Sequence, residues 1–309
     1  MFDSLVGNVT KVLHGKEAVV RAALCCVLAE GHLLIEDVPG VGKTSLARAI
    51  CRSVNLTWNR IQFTPDLLPS DITGVTVFDQ ASTTFTFRPG PVFANIVLGD
   101  EINRASPKTQ SALLEVMDEG RVTVDGVRHP VGAPFMVVAT QNPIEQAGTY
   151  RLPEAQLDRF LMKTNLGYPD HDATMRVLGD SANRDRSAAV APLITATAVG
   201  EMSKAADQVH VDASILAYVS RLAEESRRAR HVRLGLSVRG CLAWVRTAKT
   251  WAAADGRHYV VPDDIKELAV PVLGHRLLLD AEAEFGGVAV EDVIAGLLAE
   301  IKPPAERAA

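Results

Sequence analysis

The sequence predicts two units: an α/β domain whose mainly parallel sheet is covered by helices on both faces, then a smaller all-α domain. Three observations carry this expectation. Short apolar runs of strand length at 32–36, 95–98 and 135–139 alternate with segments of helical period, the pattern of strands buried on both faces. A Gly-rich turn, Gly40-Val41-Gly42, joins the first run to a helix. Beyond Asp170 helical period takes over. The chain has 309 residues, 47% hydrophobic and 22% charged, long enough for two domains and too apolar for a disordered chain. The boundaries read as 1–170 for the α/β unit, a polar connection at 171–188 and an α-helical unit at 189–309.

Each element has its local reason. Lys16 to Glu30 puts Val19, Val20, Ala23, Leu24 and Val27 on one helical face, and Gly31 ends it. His32–Glu36 is a strand, and Thr44–Val54 returns to helical period through Leu46, Ala47, Ile50, Cys51 and Val54. Asn95–Leu98, closed by Gly99, and Phe135–Ala139 are two more strands. Between them Ser106–Glu119 has a Ser cap, Pro107 in its first turn and Gly120 after its end. Val75–Phe87, around Asp79-Gln80-Ala81-Ser82, and Val122–Val127, around Asp125-Gly126, read as hairpins inserted into this alternation. In the second unit Ile215/Leu216/Val219/Leu222, Leu242/Val245/Ala248/Ala252, Ile265–Leu273 (opened by Pro262) and Val293–Ile301 mark helices.

Composition narrows the function. A formal net charge of −5 leaves no electrostatic footprint for tight nucleic-acid binding, so no nucleic-acid partner is expected. The one basic cluster, Arg227, Arg228, Arg230 and Arg233, reads as a solvated helix end. Cys25, Cys26, Cys51 and Cys241 form no C-x-x-C pair and read as buried inert thiols. The run Ala22–Ala29 is too short to span a bilayer, and the start lacks a secretory leader pattern. No membrane insertion and a cytoplasmic location are expected.

Asp37-Val38-Pro39-Gly40-Val41-Gly42-Lys43-Thr44 lies between a strand and a helix, the context that makes a phosphate loop. Glycines let backbone N–H groups wrap a phosphate, and the helix N-terminus adds positive potential. Pro39, Gly40, Val41, Gly42, Lys43, Thr44 and Ser45 are the expected nucleotide-binding residues. Lys43 would reach the β- and γ-phosphates and Thr44 would ligate Mg²⁺. Asp37 stands where the strict pattern begins with Gly. The second strand ends in Asp100-Glu101, adjacent carboxylates that are costly there unless a cation or hydrogen bonds compensate. Asp100 would hold Mg²⁺, and Glu101 would polarise the attacking water.

These residues resemble an AAA+ ATPase of the MoxR family. The strings that carry the likeness are 34–44 (LIEDVPGVGKT), 99–105 (GDEINRA), 139–143 (ATQNP) and 152–160 (LPEAQLDRF); Asp37 is itself typical of that family. The resemblance implies an AAA+ phosphate-loop NTPase core with hairpin inserts and a helical lid. It implies that Asn142 is sensor 1, Arg159 the arginine finger acting on a neighbouring subunit's nucleotide, and Arg239 sensor 2 at the start of a lid helix. Gly15, in His14-Gly15-Lys16-Glu17, falls in the adenine-side loop, where Lys16 replaces the family's Gln. Arg104 is either a second trans-acting cation or a support for the strand-end loop. The hairpins would face a pore or client. The implied activity is ATP hydrolysis with Mg²⁺ in a homo-oligomeric ring, a hexamer, that matures or activates partner proteins, among them proteins with von Willebrand factor A domains. The γ-phosphate would link the sheet domain, the lid through Arg239 and the neighbour through Arg159. Two other readings stay open: a nucleic-acid remodeller, and a nucleotide-gated scaffold that does not hydrolyse.

Overall fold

The computed structural model describes residues 1–38, 40–142, 149–179 and 186–304. Five parallel strands form the central sheet, β1 (Leu33–Glu36), β2 (Trp58–Gln62), β5 (Ile96–Asp100), β8 (Met136–Gln141) and β9 (Met162–Thr164), in the order β2-β5-β8-β1-β9. Side chains alternate across the strands, so each strand feeds two cores. Leu33, Ile35, Ile96, Leu98, Met136 and Val138 face helices α1 (Phe2–Thr10), α2 (Glu17–Leu28) and α3 (Lys43–Ser53). Leu34, Val97, Val137 and Ala139 face the other side, against Leu113, Leu114 and Met117 of α5 (Pro107–Glu119). The Ser106 hydroxyl accepts from the Thr109 N–H to cap α5, and Gly120 closes it at φ 62°.

Both hairpins are present, outside the main sheet: β3 (Gly74–Asp79) with β4 (Thr84–Pro89), after the short helix α4 (Pro69–Thr73), and β6 (Arg121–Val124) with β7 (Val127–Pro130). Asp125 and Gly126 both take positive φ, 50° and 77°, which matches the twist of the strands they join. Phe87 stacks on His129 at 3.9 Å between ring centroids, so the two hairpins touch.

The α/β unit closes with α6 (Glu154–Leu157) and α7 (His171–Gly179). The expected polar connection therefore opens on a helix, tied down by buried Ala173; Asn183, Arg184 and Asp185 lie outside the described residues. The second unit contains α8 (Ala196–Asp207), α9 (Ala213–Ser226), α10 (Val238–Ala254), α11 (Pro262–Glu267), α12 (Ala269–Leu273), α13 (Ala281–Phe285) and α14 (Val290–Glu300). It is not wholly helical. Strands β10 (Val232–Leu234) and β11 (Leu278–Leu279) pair antiparallel, too short to leave a period-2 signal. Its core, built on Tyr218, Trp244, Ile265 and Ile294, is continuous with the apolar side of α2. Buried Trp244 donates its indole N–H to the Ile265 carbonyl at 3.0 Å. The Ser237 hydroxyl caps α10 by accepting from the Gly240 N–H at 2.9 Å. A Cβ at Gly240 would lie 2.4 Å from Leu236 Cδ1, so a larger residue there would have to displace the Leu236 side chain.

The three cysteines Cys25, Cys26 and Cys51 are buried and Cys241 half-buried. Burial pushes the Cys25 and Cys51 thiols up to about 12, which keeps them unreactive. No helix of the described residues is long and apolar enough to cross a membrane.

His32, at the start of β1, bonds through Nε2 to the Met117 carbonyl at 3.0 Å and accepts from the Val137 N–H at Nδ1, also 3.0 Å. Burial pushes its pKa down to about 4. The unfolded chain, with a histidine near 6.5, binds a proton that the folded chain refuses between those two values. Stability is therefore fully present above pH ~6.5 and falls as pH drops, by about 2 kcal/mol at pH 5 from this residue. Buried His275, also pushed down by desolvation, adds in the same direction. Urea midpoints at pH 7.5 and pH 5 check this; equal midpoints would contradict it.

Candidate functional site

The nucleotide-binding candidates gather at the C-terminal edge of the sheet, where parallel strands place their ligand sites. After Glu36 the chain turns through Gly40 and Gly42, at φ 86° and 103°, a left-handed path that costs an L-residue about 1–2 kcal/mol. Pro39 lies outside the described residues. Val41, Thr44 and Ser45 complete the turn into α3, whose first turn carries no acidic side chain, so its positive end is left for an anion. The buried Lys43 ammonium donates to the Asp37 carbonyl at 2.8 Å. Desolvation pulls its pKa down, opposed by the carboxylates of Asp100, Asp37 and Glu101.

Asp37 has a role that its sequence position did not reveal. Its carboxylate accepts from the N–H groups of Val38 at 2.8 Å, Leu166 at 2.6 Å and Gly167 at 2.7 Å. It is an anchor that ties the phosphate loop to the segment after β9. Lys16 donates to the Tyr168 carbonyl in the same segment at 2.9 Å, and Gly15, at φ 70°, sits beside Asp170. Asp37→Ala strands the buried Leu166 donor and the part-buried Gly167 donor, and a loss of about 2–4 kcal/mol is expected. The urea unfolding midpoint measures it; an unchanged midpoint would remove the anchor role.

Asp100 and Glu101 close β5. Asp100 Oδ1 accepts from the Thr140 hydroxyl at 2.6 Å, and Oδ2 accepts from Arg60 Nη2 at 2.6 Å and Nε at 3.2 Å. Glu101 takes φ 58°, an uncommon conformation for a non-glycine residue. Its N–H donates to the Thr140 hydroxyl at 2.9 Å, and its Oε2 accepts from Gln62 Nε2 at 3.0 Å and Arg104 Nη1 at 2.9 Å. The turn at Glu101 and these two arginines are how adjacent carboxylates coexist at a strand end. Arg104 thus supports the strand-end loop of its own chain. Arg60, Gln62 and Thr140 were not picked out from the sequence. The signal for the first two is faint: they alternate along the exposed edge strand β2, where no apolar run marks a strand.

Magnesium fits the donor set. No group of three or more His, Cys, Asp or Glu among the described residues is arranged to hold a metal. Thr44 and Asp100 offer hard oxygens, which suits a cation that keeps water ligands and takes phosphate oxygens for the rest. Asn142, buried at the end of β8, lines a cavity of about 950 Å³ together with Glu36, Gln141 and Asn103.

Arg159 and Arg239 lie elsewhere. Arg159 precedes β9, and Leu161, the residue before that strand, donates its N–H to the His32 carbonyl at the opposite, N-terminal edge of the sheet. Both arginines pair with Asp118 in the last turn of α5: Arg159 Nε to Oδ2 at 3.0 Å, Arg239 Nη2 to Oδ1 at 2.5 Å. The central strands β1 and β8 are four and six residues long, so the two edges are about 13–20 Å apart. One chain therefore does not bring Arg159 or Arg239 to its own phosphate loop, and the expected link from a nucleotide to its own chain's lid through Arg239 is not made, because Arg239 is held at the far edge by Asp118.

Three of the four arginines of the basic cluster are engaged within the chain. Arg227 donates to the Leu236 carbonyl at 2.9 Å, Arg228 pairs with Glu225 at 3.4 Å and Arg233 with Glu154 at 3.0 Å.

Residues 32–162 match the ATPase family associated with various cellular activities (AAA), and residues 224–296 match the AAA lid domain. YeaC of Bacillus subtilis is 45% identical over 100% of this chain and 97% of its own. Chaperone MoxR1 of Mycobacterium tuberculosis is 38% identical over 98% of this chain and 82% of its own. A crystal structure from Cytophaga hutchinsonii, described as that of a candidate ATPase, superimposes with a TM-score of 0.91 at 37% identity, covering 98% of this chain and 94% of that one. A strand–turn–helix loop with an adjacent Asp-Glu strand end, a helical lid, and full-length likeness to proteins bearing the MoxR name place this chain in the MoxR family of AAA+ ATPases.

Proposed function

We propose that the chain hydrolyses ATP to ADP and phosphate at a site completed by a second copy, in a ring, and uses the cycle to remodel or activate partner proteins. The supporting observation is the split just described. Loop, Asp100, Glu101 and Asn142 occupy one edge of the sheet, and Arg159 and Arg239 occupy the other. A head-to-tail contact between copies puts the arginines of one beside the phosphates of the next, and such a contact closes naturally into a ring.

In this reading the loop N–H groups and Lys43 hold the phosphates, with Gly15 on the base side. Thr44 and Asp100 would hold Mg²⁺, which would supply charge neutralisation to the phosphates. Lys43 exchanges its bond to the Asp37 carbonyl for a phosphate oxygen. Glu101 accepts the proton of the attacking water, and Asn142 orients that water. Arg159 and Arg239 of the neighbour stabilise charge on the γ-phosphoryl oxygens. Loss of the γ-phosphate breaks the link between copies, which moves lid and hairpins. The exposed Phe78 and Phe85 of the first hairpin give that motion a surface for a client. The hexameric ring and partners with von Willebrand factor A domains rest on the family resemblance alone.

Phosphate release per chain, followed against protein concentration alongside sedimentation, tests the shared site. The rate per chain should rise as assembly proceeds. A rate that stays flat as assembly proceeds, with the monomer turning over as fast as the assembled protein, would sink the reading.

A further inference from the structure

We propose that Asp118 is a positioning residue for hydrolysis at the neighbouring subunit: it sets Arg159 and holds Arg239 beside it as one prearranged pair of cations. The inference rests on the shared-site reading above. Asp118 stands in the last turn of α5, which has no basic residue of its own. An acidic side chain there faces the negative end of the helix, so the helix itself gives no reason for a carboxylate. The compensation comes from outside. Arg159 arrives from the segment before β9 and Arg239 from the first turn of the lid helix α10, one on each carboxylate oxygen. Two guanidinium groups drawn to one point repel each other, and a single carboxylate between them offsets that repulsion.

The mode of contact separates the two arginines. Asp118 meets Arg159 at Nε, which leaves the terminal nitrogens, the far end of the fork, to project. Nε lies within ion-pair distance but its N–H is not aligned for a hydrogen bond, so the hold is electrostatic and yields to a small reorientation. Asp118 meets Arg239 at the terminal Nη2, and through it ties the start of the lid helix to α5. The wall around Arg159 is a recess of about 290 Å³ that also includes Ser111, Glu115 and Gln156. Asp118 is not the only tie between lid and core. Asp158 accepts from the Ser237 hydroxyl at 2.8 Å and from Arg276 Nε at 2.7 Å. The lid therefore stays docked when Asp118 is changed.

The test uses the full chain as Asp118→Ala and Asp118→Asn, with Lys43→Ala and Arg159→Ala as partners for mixing. Asp118→Ala should lower kcat at least tenfold with KM for ATP unchanged. Asp118→Asn, which keeps an oxygen acceptor, should recover part of that loss, and it serves alone if the alanine variant does not fold. Mixing Asp118→Ala with Lys43→Ala before assembly should restore activity, because an intact loop then faces an intact arginine pair. A folding defect in Asp118→Ala would not be repaired by mixing. An unchanged or raised kcat in both variants overturns the proposal. So does a mixture that stays inactive while Arg159→Ala with Lys43→Ala recovers, since the shared site then stands without Asp118. If neither mixture recovers, the shared-site reading falls and takes this inference with it.

Discussion

Arg159→Ala is expected to bind ATP as the parent chain does and to lose turnover by about 10³–10⁵-fold, the worth of an arginine supplied to a transferring phosphoryl group. That is about 4–7 kcal/mol of barrier. The size of the effect separates it from any stability change. The pair that Arg159 makes with Asp118 is partly exposed on both sides, 27% and 31%, and such a pair contributes at most ~1 kcal/mol. Arg159→Lys should rescue little, because the ammonium keeps the charge but loses the fork that spans two phosphoryl oxygens. Steady-state kcat and KM with a separate measurement of nucleotide affinity check this. Full turnover in Arg159→Ala would remove the finger assignment, and a lost affinity with intact kcat would place Arg159 in binding instead.

Glu101→Gln should trap the nucleotide. Glu101 Oε2 takes both bonds, from Gln62 and Arg104, and Oε1 makes none among the described residues. Gln can keep the two accepted bonds with its amide oxygen, so the strained turn at φ 58° should persist. What it lacks is a basic oxygen for the water. A drop of about 10²–10⁴-fold in turnover is expected, with ATP affinity retained and unhydrolysed ATP recovered from the assembled protein. The same variant, held in its ATP state, is the bait for identifying partner proteins. Rapid phosphate release by this variant would assign the base to another group.

Legibility followed sequence distance. The phosphate loop, the Asp-Glu strand end and the cap of α5 are each written in fewer than about fifteen consecutive residues, with turn, cap and period signals in phase. The N-terminal helix carried such a signal too, Phe2, Leu5, Val6 and Val9 on one face, and escaped notice. The edge strands carry no such signal: β2 is polar because its side chains meet solvent and the carboxylates at the end of β5, and β9 has three residues.

The sequence by itself determined the nucleotide-binding edge, because glycine conformation, helix polarity and adjacent charge are local properties of a short stretch of chain. Only the tertiary structure decided the partners. Asp37 meets Leu166 and Gly167, Glu101 meets Gln62, and Asp118 gathers Arg159 and Arg239. Each of those contacts joins residues about 40 to 130 positions apart. Their meeting depends on strand order and on which edge a strand begins, and these are fixed by how the two cores pack.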